Sequence, residues 1–303
     1  MTTLARQARD LVIGVDVGGT KIAAGVVDVR GNVLRSMQLP TDTSSAEHTL
    51  QTIAHAIHTL LGEAGGEAAR ICGIGLGIPG KVDARRGIGL LSTNLKWRNV
   101  PVKDWLETRL GLPCTIENDV GAATLGESVY GVARGVQNML YLSLGTGIAA
   151  GVIIQGQLYR GEHGLVGEIG HTAVWPGDQL CACGGRGCLE AQAAGPALAR
   201  RASQALQAGR ASCLRDTLTR EEPLTTAEVF LAASQGDELA LEIVNQAGRQ
   251  LAFALYILAM AYDPRLIVLG GGLALQDGPL TASIRAELTR WLERSPIFRE
   301  IYA

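Results

Sequence analysis

Leu11–Leu34 reads LVIGVDVGGTKIAAGVVDVRGNVL, and Met139–Leu158 reads MLYLSLGTGIAAGVIIQGQL. In both, an apolar run breaks at a short glycine loop, resumes, and closes in a turn: Arg30-Gly31-Asn32 in the first, Gln155-Gly156-Gln157 in the second. Runs of this length and make-up predict strands, and the glycine-containing steps between them predict tight reversals. The same order of strand, glycine loop, strand and turn is therefore met twice, as a weak internal repeat. Two domains of one architecture with a cleft between them explain it most simply. A chain of 303 residues is also longer than one hydrophobic core usually serves.

Outward from these stretches the pattern is α/β. Val33–Leu39 predicts a third strand and Ala46–Leu61 a helix, with Leu50, Ile53, Ala54, Ile57, Leu60 and Leu61 on one face and Gly65-Gly66 as its stop. Ile71–Ile78 reads as a buried strand ended by Pro79-Gly80, Pro101–Leu110 as a short helix, Cys114–Glu117 as a strand and Ala122–Tyr130 as a helix. Beyond Pro196 the chain is mostly helical, with long patterns over Thr226–Ala233, Asp237–Ala261 and Leu280–Leu292, interrupted by a strand at Arg265–Leu269 that enters Gly270-Gly271-Gly272. Helices packed on sheet faces follow.

Composition narrows the function. The net charge of -2 and the lack of a long basic run give no bulk attraction for nucleic acid. No basic segment leads into an apolar one at the N-terminus, so no signal peptide is read. The most apolar later stretch, Leu251–Ala261, has 11 residues, where a membrane span needs about 20. A cytoplasmic protein without membrane or nucleic-acid partners is expected.

The glycine loops suit phosphate. In Asp16-Val17-Gly18-Gly19-Thr20-Lys21 the glycines let backbone N–H groups approach phosphate oxygens, Thr20 adds a hydroxyl, Lys21 a positive charge, and Asp16 a carboxylate for Mg²⁺. A plain hairpin loop is the competing reading. Gly145-Thr146-Gly147 holds the equivalent place in the second repeat, and Gly270-Gly271-Gly272 again follows a strand. The Walker pattern and a dinucleotide-binding Gly-x-Gly-x-x-Gly are both absent, which disfavours P-loop enzymes and Rossmann oxidoreductases. Glu117, Asn118 and Asp119 stand at a strand end, where functional groups of α/β domains project. One of the two carboxylates suits the base that accepts a hydroxyl proton during phosphoryl transfer. Asp119 as a simple helix cap is the alternative.

His171, Cys181, Cys183 and Cys188 supply one imidazole and three thiolates, a complete tetrahedral zinc set, with Gly184-Gly185 and Gly187 leaving room for a tight knuckle. Four such ligands leave no open position, so the metal is structural. Glu168 and Glu190 flank the knuckle as candidates to grip sugar hydroxyls, or as solvated surface.

These residues together resemble the ROK family of repressors, open-reading-frame proteins and sugar kinases, and among them its bacterial glucokinases. The resemblance spans nearly the whole chain. It is carried by Asp16–Lys21, Gly75–Gly80 with Asn94, Asn118-Asp119, Gly145–Gly147, Gly167-Glu168-Ile169-Gly170-His171, and the run from Cys181 to Glu190. It implies two actin-like (ribonuclease-H-like) domains with an interdomain cleft. These are residues 1–118, rejoined by a C-terminal helix at about 290–303, and 119–289 with the zinc knuckle 171–188. It implies zinc on His171, Cys181, Cys183 and Cys188, sugar contacts from Asn94, Asn118, Asp119, Glu168, His171 and Glu190, and adenosine near Gly270-Gly271. The implied activity is transfer from Mg·ATP to the 6-hydroxyl of glucose with Asp119 as general base, by a homodimer or tetramer. The same chemistry on N-acetylmannosamine, N-acetylglucosamine, fructose or allose is the main alternative; Leu91–Pro101 resembles the glucokinase version of its segment. A sugar sensor without catalysis is a further alternative. A repressor would need a winged helix-turn-helix ahead of Asp16, and 15 residues precede it. Because both phosphate loops lie far from the knuckle in sequence, losing the metal is expected to loosen the sugar site while sparing nucleotide binding.

Overall fold

Alternation builds the first sheet. In the computed structural model, which describes residues 10–219, 221–274, 278–294, 296 and 300, β1 (Leu11–Val17) buries Leu11, Ile13, Val15 and Val17 and turns Val12 and Asp16 outward. Side chains of period two leave no other choice once one face is apolar. β2 (Lys21–Asp28) and β3 (Val33–Pro40) continue antiparallel, while β4 (Ile71–Ile78) pairs parallel with β1 and β8 (Cys114–Asn118) parallel with β4, giving the order β3-β2-β1-β4-β8. Helix α1 (Ala46–Ala64) is capped by Ser45, whose side chain accepts the His48 N–H, and buries Leu50, Ile53, Ala54, Ile57 and Leu60 at helical spacing. Each such leucine or isoleucine side chain removed from water contributes about 1.5–3 kcal/mol.

One part of this region departs from the sequence reading. β5 (Lys81–Asp83), β6 (Ile88–Ser92) and β7 (Trp97–Val100) form a separate antiparallel sheet before α2 (Val102–Leu110). Its strands are short, and Lys96 and Asn99 sit in left-handed backbone at φ 55° and 51°. What anchors it is burial of Leu95 and Trp97 against the core.

The chain divides into two compact units: the first runs to Gly135 and includes Arg160–Gly164, and the second holds Val136–Tyr159 and the residues from Leu165 onward. Helix α3 (Asp119–Val129) goes with the first unit, past the expected break after Asn118. In the second unit β9 (Met139–Leu144), β10 (Ile148–Ile154) and β11 (Gln157–Leu158) are antiparallel in turn, and β12 (Leu266–Gly270) lies parallel to β9. The order β11-β10-β9-β12 repeats β3-β2-β1-β4, so the sequence repeat is a structural one. Around it stand α4 (Leu189–Ala193), α5 (Gly195–Gln207), α6 (Thr226–Ser234), α7 (Glu238–Tyr262) and α8 (Pro279–Leu292). The expected return of the C-terminal helix, about 290–303, falls largely on residues 295, 297–299 and 301–303, outside the described residues.

Candidate active site and metal centre

In the first unit the C-terminal ends of three parallel strands stand side by side. Asp16 on β1 is in register with Gly77 on β4, which is in register with Glu117 on β8; Ile78 pairs with Asn118. A β-carbon at Gly77 would lie 3.9 Å from Asp16 Oδ1 and 3.6 Å from Asp119 Cα. The missing side chain thus leaves a gap bordered by both Asp16 and Asp119. Strand ends of this kind are where α/β sheets bind ligands.

Asn118, not Asp119, caps α3. Its Oδ1 accepts the N–H groups of Val120 (3.0 Å) and Gly121 (3.3 Å), and its Nδ2 donates to the Gly80 carbonyl (2.8 Å). One amide hydrogen is left for another acceptor. Asp119 opens the helix with Oδ1 accepting the Val120 N–H at 2.9 Å. Glu117 is committed elsewhere: Arg160 Nε donates to its Oε2 at 2.8 Å and the Asn118 N–H to its Oε1 at 3.0 Å. Of the two carboxylates the sequence left open, Glu117 lies within the strand and Asp119 at the first position of the helix.

The first glycine loop is closed by the Gly18 N–H donating to the Lys21 carbonyl at 2.9 Å, with Thr20 and Lys21 exposed. Two contacts position it. A β-carbon at Gly19 would lie 3.2 Å from Asn94 Cβ, so the loop lies against the residue expected to touch sugar. Thr41 donates its hydroxyl to the Gly18 carbonyl (2.7 Å) and its N–H to the Thr20 carbonyl (3.0 Å). Neither Thr41 nor Arg160 was legible as part of the site; each acts on residues distant in the chain.

In the second unit Gly145-Thr146-Gly147 joins β9 to β10, and the Gly145 N–H donates to the Gly147 carbonyl (3.0 Å). The loop Gly270-Gly271-Gly272 folds back beside it: the Leu273 N–H donates to the carbonyl of Leu144, the residue before Gly145, at 2.9 Å. The Gly195 N–H at the start of α5 reaches the Gly145 carbonyl (2.9 Å), and the Thr226 hydroxyl at the start of α6 reaches the Gly195 carbonyl (2.7 Å). Both glycine loops and the first residues of two helices gather at one sheet edge, an arrangement rich in N–H groups for anions.

The four expected metal ligands come together. Ligand atoms of His171, Cys181, Cys183 and Cys188 all lie within 4.8 Å of one another. Cys183 Sγ and Cys188 Sγ are 3.7 Å apart, as are Cys181 Sγ and His171 Nδ1. A tetrahedral ion with metal–sulfur bonds of about 2.3 Å requires sulfurs about 3.8 Å apart, so the spacing fits zinc. The charges fit as well. Burial and the neighbouring sulfurs push the Cys188 thiol up to about 12, while the Gly185 N–H and the adjacent thiols hold Cys183 below its ordinary value. A divalent cation favours thiolates over thiols at such a cluster. His171 turns Nδ1 to the sulfurs and Nε2 to Glu168, whose Oε2 lies 3.8 Å away.

Behind the knuckle sits a buried amide pair missed in the sequence. Gln192 Nε2 donates to the Gly187 carbonyl (2.9 Å), and Gln192 Oε1 accepts from Gln250 Nε2 on α7 (2.9 Å). The other expected sugar contact of this unit, Glu190, accepts the Ile148 N–H on Oε2 at 3.0 Å.

Comparison with known proteins identifies the family. A profile of the ROK family matches residues 12–300. A glucokinase of Streptomyces coelicolor is 38% identical over 286 residues, covering 93% of this chain and 88% of the relative. Among solved structures, the ROK hexokinase from Thermus thermophilus has 38% identity and a TM-score of 0.78, covering 93% of this chain and 89% of that one. A ROK family glucokinase from Streptomyces griseus, solved with glucose and AMPPNP, has 36% identity and a TM-score of 0.77, covering 92% and 89%.

Proposed function

Because the chain belongs to the ROK family, we infer that it is an ATP-dependent kinase that converts a hexose to its 6-phosphate. The hexose is glucose, a choice supported by the glucokinase relatives at 38% and 36% identity. The observation that carries the chemistry is the gap at Gly77, with Asp16 on one border and Asp119 on the other.

Asp119 acts as general base. As the sugar 6-oxygen attacks the γ-phosphorus, its proton passes to the Asp119 carboxylate, the bond to the bridging oxygen breaks, and ADP leaves with the electron pair. Glu117 accepts from Arg160 and from the Asn118 N–H, which fixes it against the strand end. Asn118 offers its remaining amide hydrogen to a sugar hydroxyl, and Asn94 a second polar group. In the second unit Glu168, His171 and Glu190 are the hydroxyl-binding groups. Gly18, Gly19, Thr20 and Lys21 bind phosphate in the first unit and Gly145, Thr146 and Gly147 in the second, with Gly270 and Gly271 toward adenosine. Asp16 would hold Mg²⁺, which supplies neutralisation of phosphate charge when bound. His171, Cys181, Cys183 and Cys188 would hold zinc; with four protein ligands it fixes the knuckle and orients His171.

Steady-state assays of ATP with a panel of hexoses test this reading. Glucose gives the highest kcat/KM, and a higher value for N-acetylmannosamine would reverse the substrate choice. Asp119→Asn lowers kcat by about 10²–10⁴-fold; activity near the parent's would sink the base assignment. Self-association to a homodimer or tetramer and a cytoplasmic setting belong to the same proposal. Among the described residues no helix is long and apolar enough to cross a membrane. Light scattering that finds only a 31.9 kDa species would remove the oligomer.

A further inference from the structure

We propose that Glu190 is a positioning residue for the second phosphate loop as well as a sugar contact, so that the metal knuckle sets the shape of Gly145–Gly147. The proposal rests on the kinase reading and adds to it a mechanical link between sugar and nucleotide groups within one unit. It differs from the expectation that the loop is independent of the knuckle, and the titration below decides between the two.

The link is short. Cys188 is a knuckle ligand, and the residue after it, Leu189, is fully buried with its N–H on the Thr172 carbonyl at 3.0 Å. Glu190 follows, and its Oε2 accepts the Ile148 N–H at 3.0 Å. The Ala194 N–H donates to the Glu190 carbonyl at 3.1 Å, and the Gly195 N–H to the Gly145 carbonyl at 2.9 Å. One stretch, 189–195, thus grips the glycine loop at both ends: at the Gly145 carbonyl and at the N–H that follows Gly147. A β-carbon at Gly147 would lie 2.6 Å from Glu190 Oε2, so a larger residue there would move the carboxylate off its bond to Ile148.

The chemistry of a carboxylate makes both tasks compatible. Oε2 is spent on Ile148, and Oε1 stays available to a sugar hydroxyl. Turning the Ile148 N–H inward fixes the preceding peptide, and with it the direction of the loop's other N–H groups. A charge-assisted bond of this kind is stronger than a neutral one. Glu168 is the natural control: it faces His171 Nε2 at 3.8 Å, and among the described residues no hydrogen bond joins it to the loop.

The test is calorimetric titration of the zinc-loaded protein with Mg·AMPPNP in the absence of sugar, with zinc stoichiometry measured on every variant. Glu190→Ala weakens nucleotide binding about tenfold, the equivalent of about 1.4 kcal/mol. Glu190→Gln stays within about twofold of the parent, because an amide oxygen still accepts the Ile148 N–H. Glu168→Ala leaves sugar-free nucleotide affinity unchanged while weakening glucose. Should Glu190→Ala lose its metal, Glu190→Asp takes its place: it keeps the charge on a side chain too short for Ile148, and weaker nucleotide binding with zinc retained supports the link. Nucleotide affinity equal to the parent's in a zinc-loaded Glu190→Ala or Glu190→Asp overturns it, whatever happens to glucose. A parent chain that binds no nucleotide at all would instead sink the kinase reading, and this one with it.

Discussion

Gly77→Ala separates stability from catalysis at the gap between the strand ends. The added methyl would stand 3.5 Å from Ala122 Cβ, 3.6 Å from Asp119 Cα and 3.9 Å from Asp16 Oδ1, all ordinary contact distances. Gly77 is not in left-handed backbone, so alanine adopts its conformation without strain. Folding therefore loses nothing, and the stiffer unfolded chain makes the variant more stable by about 0.4–1 kcal/mol. Activity moves the other way. The methyl occupies the space bordered by the proposed base and the proposed metal carboxylate. A substrate atom or cation that needs this space is displaced by about an ångström, which costs about 10²-fold in kcat, close to 2.7 kcal/mol of barrier. Gly75→Ala is the internal control: it lies on the same face of β4, and its β-carbon would meet only Thr115 Oγ1, at 3.9 Å. Thermal melting and steady-state kinetics with ATP and glucose read both effects. A Gly77→Ala enzyme with kcat within about threefold of the parent, or a Gly75→Ala enzyme equally impaired, would refute the reasoning.

Two other perturbations follow from the same geometry. Cys183→Ser removes one of four ligands, so zinc content and glucose affinity both fall; through Glu190 the affinity for Mg·AMPPNP falls too, and a folded, zinc-free variant with unchanged glucose affinity would count against the metal's role. Asp237 caps α7 and accepts the N–H groups of Ala240 (2.9 Å) and Cys213 (2.8 Å); burial alone would raise its carboxyl, but these bonds outweigh it and hold it below the ordinary aspartate value. A depressed folded pKa means stability present above the unfolded value and lost as pH falls below about 4 through the folded one. Asp237→Ala therefore lowers Tm at neutral pH by about 2–4 °C, for a cap of about 1 kcal/mol. Asp237→Asn keeps most of the cap and flattens the acid limb of Tm against pH; an unchanged limb would show that another carboxylate governs it.

How far the sequence could be read depends on how local each cause is. Strands β1, β4 and β10 were legible because alternation or apolar runs act within a few residues. The sheet β5-β6-β7 was not, since its strands are held by burial of Leu95 and Trp97 instead of by pattern, and Lys96 and Asn99 break it with left-handed backbone. The metal-ligand set was visible because its residues crowd into 171–188 and their chemistry is distinctive. The braces were invisible because their partners are distant in the chain: Thr41 on Gly18, Arg160 on Glu117, Glu190 on Ile148. Asp119 against Asn118 as helix cap was undecidable from residue type, because both suit the position. Only the observed bonds assign the cap to Asn118 and leave Asp119 at the first helical position.

The repeat explains why the two units carry different chemistry on one topology. In each, a central strand ends in a glycine loop beside a parallel neighbour: β1 beside β4, and β9 beside β12. The first unit adds β8 next to β4, and with it a third strand end bearing Asn118 and Asp119, so its edge is built around carboxylates. In the second unit β12 ends in Gly270 and Gly271, and its edge offers backbone N–H groups from the glycine loops and helix starts. Carboxylates suit a proton and a cation; clustered N–H groups suit phosphate oxygens. Glu190 reaches the second edge on α4 from the knuckle and has an oxygen bound to Ile148. That bond fixes the carboxylate against the glycine loop, and the His/Cys knuckle that delivers it is the part the first unit lacks among the described residues.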